Sequence, residues 1–395
     1  MSNWSHEYRE WIKRGCKINT SVISLYLSHN QLKNIPSAIE NLHNLKILHL
    51  GSNNLTLIPP EIGNLHNLQE LYLSHNNINI IPATIGHLDL RVFYISDNKI
   101  TSIPSEIGYM RNLEDFNISN NLLTTITCSI GHLHNLKVLN LSTNQITELP
   151  SDIGKLCKLK ELVLSDNQLL TIPSEIGNLN KLETFDLYTN NIKSVPIEIG
   201  NMYSLKLLSL SNNQLTTVPS SIGNLQKLET LDLHKNQLSD IPSEIGNLNS
   251  LKWLGLATNQ LITVQQSLGN LPNLEILDLS DNQITTIPSE IGNIYSLQFL
   301  GLDNNKLVSI PSSIGNLHNL ETLDLYGNQL TTVPSEIGNL QNLISLYLNE
   351  NQLITLPVEI KNLYNLQMIV LSNDQIKKMG SILNQLHNPK SLYAQ

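Results

Sequence analysis

The stretch Leu320-Glu-Thr-Leu-Asp-Leu-Tyr-Gly-Asn328-Gln-Leu-Thr-Thr-Val-Pro334-Ser-Glu-Ile-Gly-Asn-Leu340 decides the architecture, because its pattern returns along almost the whole chain. Its asparagine recurs at Asn30, Asn53, Asn76, Asn98, Asn121, Asn144, Asn167, Asn190, Asn213, Asn236, Asn259, Asn282, Asn305, Asn328 and Asn351, in steps of 23 residues with one step of 22. Self-similarity at such a period is the mark of a solenoid built from small supersecondary units. Leu323 and Leu325 alternate with Thr322, Asp324 and Tyr326, which predicts a short strand with its leucines inward and those three side chains outward. Asn328 then turns the chain: a buried side-chain amide offers a donor and an acceptor to backbone groups that would each cost about 1–3 kcal/mol unpaired. Pro334 fixes φ and starts a return segment that ends through Gly338-Asn339, and thirteen repeats carry that proline.

One such repeat cannot bury its apolar side alone, so stability must come from stacking and the ends must be capped. Trp4, Tyr8, Trp11 and Ile12 fall at helical spacing and predict a capping helix within residues 1–21, closing on Val22, Leu25 and Leu27. The array then occupies 22–384, with 385–395 as a C-terminal tail. In its last coil Asp374 stands at the ladder position and Gly380 at the proline position, while Leu366, Ile369, Leu371 and Ile376 keep the core pattern. Ile382, Leu383 and Leu386 are expected to close that coil. Thr127 and Gln265 replace the proline, and one residue is missing between Leu88 and Leu90, which predicts local kinks. The chain reads as one elongated α/β domain, a solenoid of about 16 coils with a curved parallel sheet on its concave side.

Charged residues make up only 14%, since the pattern reserves so many positions for leucine, isoleucine, asparagine and serine. A net charge of −9 argues against nucleic acid or an anionic membrane as the main partner. Cys16, Cys128 and Cys157 have no paired spacing, which suggests a reducing compartment. No signal-peptide h-region and no long apolar run is present, so the chain reads as intracellular, most simply cytoplasmic, without membrane insertion.

The 23-residue repeat with Ile-Pro-x-x-Ile-Gly-Asn-Leu resembles the intracellular leucine-rich repeat proteins of the Ras group, including Ras-binding scaffolds and the plant Ras-group-related family. Plant receptor ectodomains have a similar 24-residue pattern with an extra glycine before Ile-Pro, and Asn328-Gln-Leu-Thr-Thr-Val-Pro334 lacks it. The resemblance covers nearly the whole chain and implies a leucine-rich repeat fold that binds protein through the concave sheet, in signalling. The matching residues are core and turn positions, so they specify the fold far better than the function.

Function must lie in residues the fold does not need, which are the outward strand positions. The second half carries a 46-residue superperiod: Leu182-Glu-Thr-Phe-Asp-Leu187 returns at 228, 274 and 320, alternating with Leu205-Lys-Leu-Leu-Ser-Leu210 and Leu251-Lys-Trp-Leu-Gly-Leu256. Glu183, Lys206, Glu229, Lys252 and Glu275 therefore alternate in sign, which suits lateral pairing. The aspartates of the superperiod fall two strands apart, roughly 10 Å.

Trp253 and Phe299 stand outward beside Gly255 and Gly301, whose missing side chains predict shallow hollows flanked by Asp232, Asp278, Asp324, His234 and Tyr326. Aromatics ringed by charge have the composition of a binding hot spot for a protein with a basic surface. Tyr188 belongs to the same outward set. Tyr26, His49, Tyr72 and Tyr94 form an aromatic stripe at the other end, which suits either a second contact surface or plain stacking across strands.

No glycine-rich phosphate loop, Ser-His-Asp set or Cys/His cluster appears, so no cofactor is expected, and Asp232 and Asp278 have nothing to bury them as an acid pair. Asp278, Asp281 and Asp303 would suit calcium only if their oxygens converge. The expected function is a non-catalytic protein-interaction scaffold. A host-directed effector with the same surface and a self-assembling structural rod are the alternatives.

Overall fold

The computed structural model describes residues 22–384, Leu386 and the backbone of 391–394. Trp4, Tyr8, Trp11 and Ile12, expected to form the N-terminal cap, lie outside the described residues, as does Cys16. The chain divides into two units, one running to Ile192 and one from Lys193.

The first unit holds strands β1 (Ser24–Tyr26), β2 (Ile47–His49), β3 (Glu70–Tyr72), β4 (Val92–Tyr94), β5 (Asp115–Asn117), β6 (Val138–Asn140), β7 (Glu161–Val163) and β8 (Thr184–Asp186). Each pairs in parallel with the next, in a register that puts Leu48, Leu71, Phe93, Phe116, Leu139, Leu162 and Phe185 in one fully buried row. Phe93 and Phe116 stack there at 5.4 Å. The second unit holds β9 (Leu207–Ser209), β10 (Thr230–Asp232), β11 (Trp253–Gly255), β12 (Ile276–Asp278), β13 (Phe299–Gly301), β14 (Thr322–Asp324), β15 (Ser345–Tyr347), β16 (Met368–Leu371) and β17 (Ser391–Ala394), again parallel and consecutive. In both units every repeat before the last coil is a strand, a turn and one short 3₁₀ segment, which is the return segment expected after the proline.

The ladder asparagines tie each repeat to its predecessor. Asn167 Nδ2 donates to Leu164 O of its own repeat at 3.0 Å and to Leu141 O of the preceding one at 3.1 Å. Its Oδ1 accepts from Ile146 N at 3.0 Å, also in the preceding repeat. Asn259 makes the same set with Leu256 O, Leu233 O and Leu238 N. These side chains are buried, so each bond replaces an unpaired group rather than a hydrated one.

The residue before each ladder asparagine takes a positive φ so that the amide can turn inward: 54° at Thr143, 54° at Thr189, 57° at Thr258 and 63° at Gly327. A β-branched side chain in this left-handed region is strained.

Each proline opens the 3₁₀ turn as expected. Pro334 is extended at ψ 152, its carbonyl accepts from Ile337 N at 3.2 Å, and the turn Ser335–Asn339 follows. The glycine in this turn serves close approach between repeats: a Cβ on Gly154 would lie 2.4 Å from Glu175 O in the next coil.

The Gln265 repeat departs from the others at the end of its turn, where Leu271 has ψ 98, but Thr127 and Gln265 themselves do not kink the chain. Their φ and ψ, −63 and 140 and −67 and 130, are close to those of the prolines they replace, and Thr127 caps its turn by accepting from Ser129 N. The deleted residue is absorbed at Leu88, where ψ is 148 against 61 at Leu65 and 65 at Met110.

The last coil also differs from expectation. Ser372 caps a helix, α1 (Asn373–Leu383), through a capping box with Gln375. Asp374 therefore points to solvent at 82% side-chain exposure. Gln375, buried, takes over the ladder role by donating to Leu348 O and Asn351 O at 3.3 and 3.4 Å. Ile376 is half-buried; Met379 supplies the apolar side of α1 together with Leu383, which closes the coil as expected, while Ile382 is half-buried. Beyond it β17 pairs with β16 inside the stretch read as a tail.

Replacing Asn167 by leucine should strand Ile146 N–H and two carbonyls and lower stability by about 3 kcal/mol, read as a fall in urea midpoint. Thr143→Asn should raise it by about 0.5–1 kcal/mol, since asparagine tolerates the left-handed region.

Candidate protein-binding surface

The strand register lays the outward residues of the second unit in straight rows across the sheet. Asp232, Gly255, Asp278, Gly301 and Asp324 are direct neighbours on β10 to β14, and Thr230, Trp253, Ile276, Phe299 and Thr322 run beside them. The structure thus brings together five of the residues singled out from sequence.

The hollows expected at Gly255 and Gly301 are filled. Residues i and i+2 of a strand share a face, so the Trp253 ring leans along β11 onto Gly255, where a Cβ would meet its Cη2 at 2.4 Å. Phe299 covers Gly301 in the same way, with Cε1 at 3.0 Å from that position. Both glycines are buried on what is otherwise the open face, and both rings are half-buried. The ring tips lie between the aspartates of flanking strands, Asp232 Oδ1 standing 3.1 Å from the Gly255 Cβ position and Asp278 Oδ1 2.9 Å from that of Gly301. Across the register the surface reads carboxylate, ring, carboxylate, ring, carboxylate.

The aspartates also close the strand ends, a role the sequence reading missed. Asp278 Oδ1 accepts from Ser280 N at 3.1 Å and from Ser280 Oγ at 2.7 Å, and Asp324 Oδ1 accepts from Tyr326 N at 3.0 Å. Asn117 makes the Asp278 pattern with Ser119, and Asn140 makes it with Ser142. This local Asx turn explains the run of aspartate and asparagine at this position. Asp232 is engaged on both oxygens, by buried Ser211 Oγ at 2.9 Å on Oδ2 and by the His234 ring and backbone on Oδ1.

Burial pushes Asp324 above the usual carboxylate range, with Asp278 adding to it. Asp303, one strand away, is pushed up to about 6 by burial and then by Asp324, Asp278 and Asp281. These acids do not converge: among the described residues no set of three or more His, Cys, Asp or Glu is placed to hold a metal ion.

Tyr188 belongs to the first unit, exposed, with its N–H donated to Asp186 Oδ1 at 3.0 Å. In that unit Tyr26, His49, Tyr72 and Tyr94 form a continuous stack, with centroids 4.8, 3.9 and 5.3 Å apart, the last pair edge to face. Tyr72 Oη donates to Glu70 at 2.9 Å and Tyr94 Oη to Asp115 at 2.6 Å. Burial, then Glu70, pushes the Tyr72 hydroxyl up to about 12, and burial lowers His49. Ring faces used against each other stabilise the sheet and leave mainly edges for a partner.

Lateral ion pairs run beside the strands: Glu114 with Arg91 at 3.5 Å and Lys137 at 2.7 Å, Lys160 with Glu183 at 3.3 Å, and Glu229 with Lys252 at 2.8 Å. A second asparagine ladder, also missed, zips the turns before the strands. Asn67, Asn135, Asn319 and Asn342 each donate to a carbonyl of the preceding coil, at 2.7 to 2.9 Å. The Asn-Leu pair that recurs ahead of several strands, as at 67–68, 135–136, 319–320 and 342–343, was its signal.

Stacked strand and 3₁₀ coils with buried asparagines define a leucine-rich repeat protein. The family models agree: the leucine-rich repeat region model matches residues 21–149, 197–286 and 285–394, a second repeat model 157–215, and a third 134–174. The chain belongs to the leucine-rich repeat family. It is similar to a leucine-rich repeat protein of Leptospira interrogans, 38% identical over 96% of this chain and 97% of that one, with a TM-score of 0.83. The plant peptide hormone receptor RGFR1, solved in complex with RGF2, is 32% identical over 96% of this chain and 70% of its own, with a TM-score of 0.71. An internalin of Listeria monocytogenes, 24% identical over 82% and 86% with a TM-score of 0.64, shares the fold. No curated protein matches at a significant level. No described helix is long and apolar enough to cross a membrane.

Because the folded chain holds on Asp303 a proton that the unfolded chain releases near pH 3.8, that residue favours folding most below pH 3.8, and the advantage is lost as pH rises through about 6. Asp303→Asn should therefore stabilise the protein by about 1 kcal/mol at pH 7.5, after discounting for part exposure, and be neutral at pH 3.5. Thermal melts at both pH values check this.

Proposed function

We propose that the chain is a non-catalytic scaffold that binds another protein on the outward sheet face of the second unit, centred on Trp253, Phe299 and Asp278. One observation carries the reading: rings and carboxylates interleave in a single row across β10–β14. Packing does not demand that composition, since the aspartate position holds Val163, Ser209, Tyr347 and Val370 on other strands. Half-buried aromatics among charges are the side chains that carry most of the energy in protein interfaces. A related receptor, RGFR1, was solved in complex with RGF2, a precedent for a partner on this fold.

The resemblance of the repeat to Ras-group proteins supports intracellular signalling as the setting, as do the exposed free thiols Cys128 and Cys157. A host-directed effector would use the same surface.

Affinity capture from lysate of the source cell, with wild type and a folded Trp253→Ala/Phe299→Ala/Asp278→Lys variant, tests the site. A protein captured by wild type and lost from the variant is the expected outcome. An unchanged captured set contradicts it.

A further inference from the structure

We infer that this surface takes a polyproline-type segment of the partner carrying a lysine or arginine at every third residue. The inference rests on the binding role proposed above and names the chemistry of its partner. Asp232, Asp278 and Asp324 stand on alternate strands of one parallel register. Strands lie about 4.8 Å apart, so the carboxylates repeat at roughly 9.6 Å.

Few peptide conformations match that repeat on one side. A polyproline helix has three residues per turn and rises about 3.1 Å per residue, which puts residues i, i+3 and i+6 on one edge at roughly 9.3 Å. A β-strand presents same-face residues at about 6.7 Å and turns every third side chain away. An α-helix offers i and i+7 at roughly 10.5 Å, and drifts out of step by nearly 2 Å over the three acids.

The rings repeat with the same spacing, one between each pair of carboxylates, and the edge of each covers its glycine. A cationic side chain reaching an aspartate would lay its stem over the neighbouring ring, within the roughly 6 Å at which a cation is drawn to an aromatic face. Its charge complements a row where Asp281 and Asp303 add to the negative potential. Asp278 and Asp324 receive their strand-end hydrogen bonds on Oδ1, which leaves the other oxygen to take a guanidinium or ammonium. Asp232, with Ser211 and His234 on its two oxygens, can accept further through its remaining lone pairs.

The test uses the full chain and two fluorescein-labelled peptides of identical composition, (Arg-Pro-Pro)5 and an isomer with its five arginines in one block, titrated by fluorescence anisotropy. The spaced peptide should bind at least about tenfold tighter. Asp278→Asn should weaken the spaced peptide severalfold and the block isomer little. This variant keeps the fold, because Asn117 and Asn140 already make the same hydrogen bonds to Ser119 and Ser142. Phe299→Ala should weaken the spaced peptide in the same direction. Equal binding of the two isomers, still weakened by Asp278→Asn, overturns the three-residue spacing while the face remains a binding surface. Binding that ignores both spacing and Asp278 overturns the inference together with the site it rests on.

Discussion

The side-chain amide of the ladder asparagine is the interaction on which everything else in this protein depends. A leucine core would fill the space between coils equally well, but it would leave backbone groups at every turn without partners in a place water cannot reach. The amide satisfies carbonyls of its own coil and of the coil before it, and accepts an N–H from that earlier coil, so stacking and hydrogen-bond completion become one event. Its geometry also imposes the positive φ at the preceding residue, a local strain held at Thr143, Thr189 and Thr258 by the bonds that follow.

Once consecutive coils are locked in register, the outward face becomes a lattice with a fixed pitch. Side chains one period apart become lateral neighbours, which lets Glu229 pair with Lys252, Tyr26 stack on His49, and Trp253 lie between Asp232 and Asp278. A 46-residue duplication in sequence thereby becomes a spacing of two strands in space. The chemistry of this surface is set by which residues occupy lattice points, and the spacing of its groups by the strand separation.

The fold was legible because ladder asparagine, proline and inward leucine each have one physical job at one position. The substitutions show where a residue type mattered less than the conformation it favours: Thr127 and Gln265 adopt the backbone of the prolines they replace. The last coil was misread because Asp374 occupies the ladder number, while the capping box of Ser372 turns the chain so that Gln375 occupies the ladder place. At the candidate surface, the residues that come together were legible from the period alone. Ring orientation was not, since whether Trp253 stands beside Gly255 or lies upon it depends on the strand face they share. The turn-closing role of Asp278 was hidden for a similar reason: its hydrogen bond to Ser280 is local, and aspartate in that position looks the same in sequence whether or not it closes a turn.

Native-state hydrogen exchange of the amides at Ile146, Leu238, Leu261 and Ile284 tests the central claim most directly, because each N–H donates to the ladder asparagine of the following coil and to no other group within its own. If the ladder couples the coils, these amides exchange as slowly as the amides of Leu164, Leu233 and Leu256, which donate to the backbone of the following strand, through the same cooperative opening. Exchange as fast as that of exposed turn amides would mean that the asparagines decorate a stack held by its leucines alone.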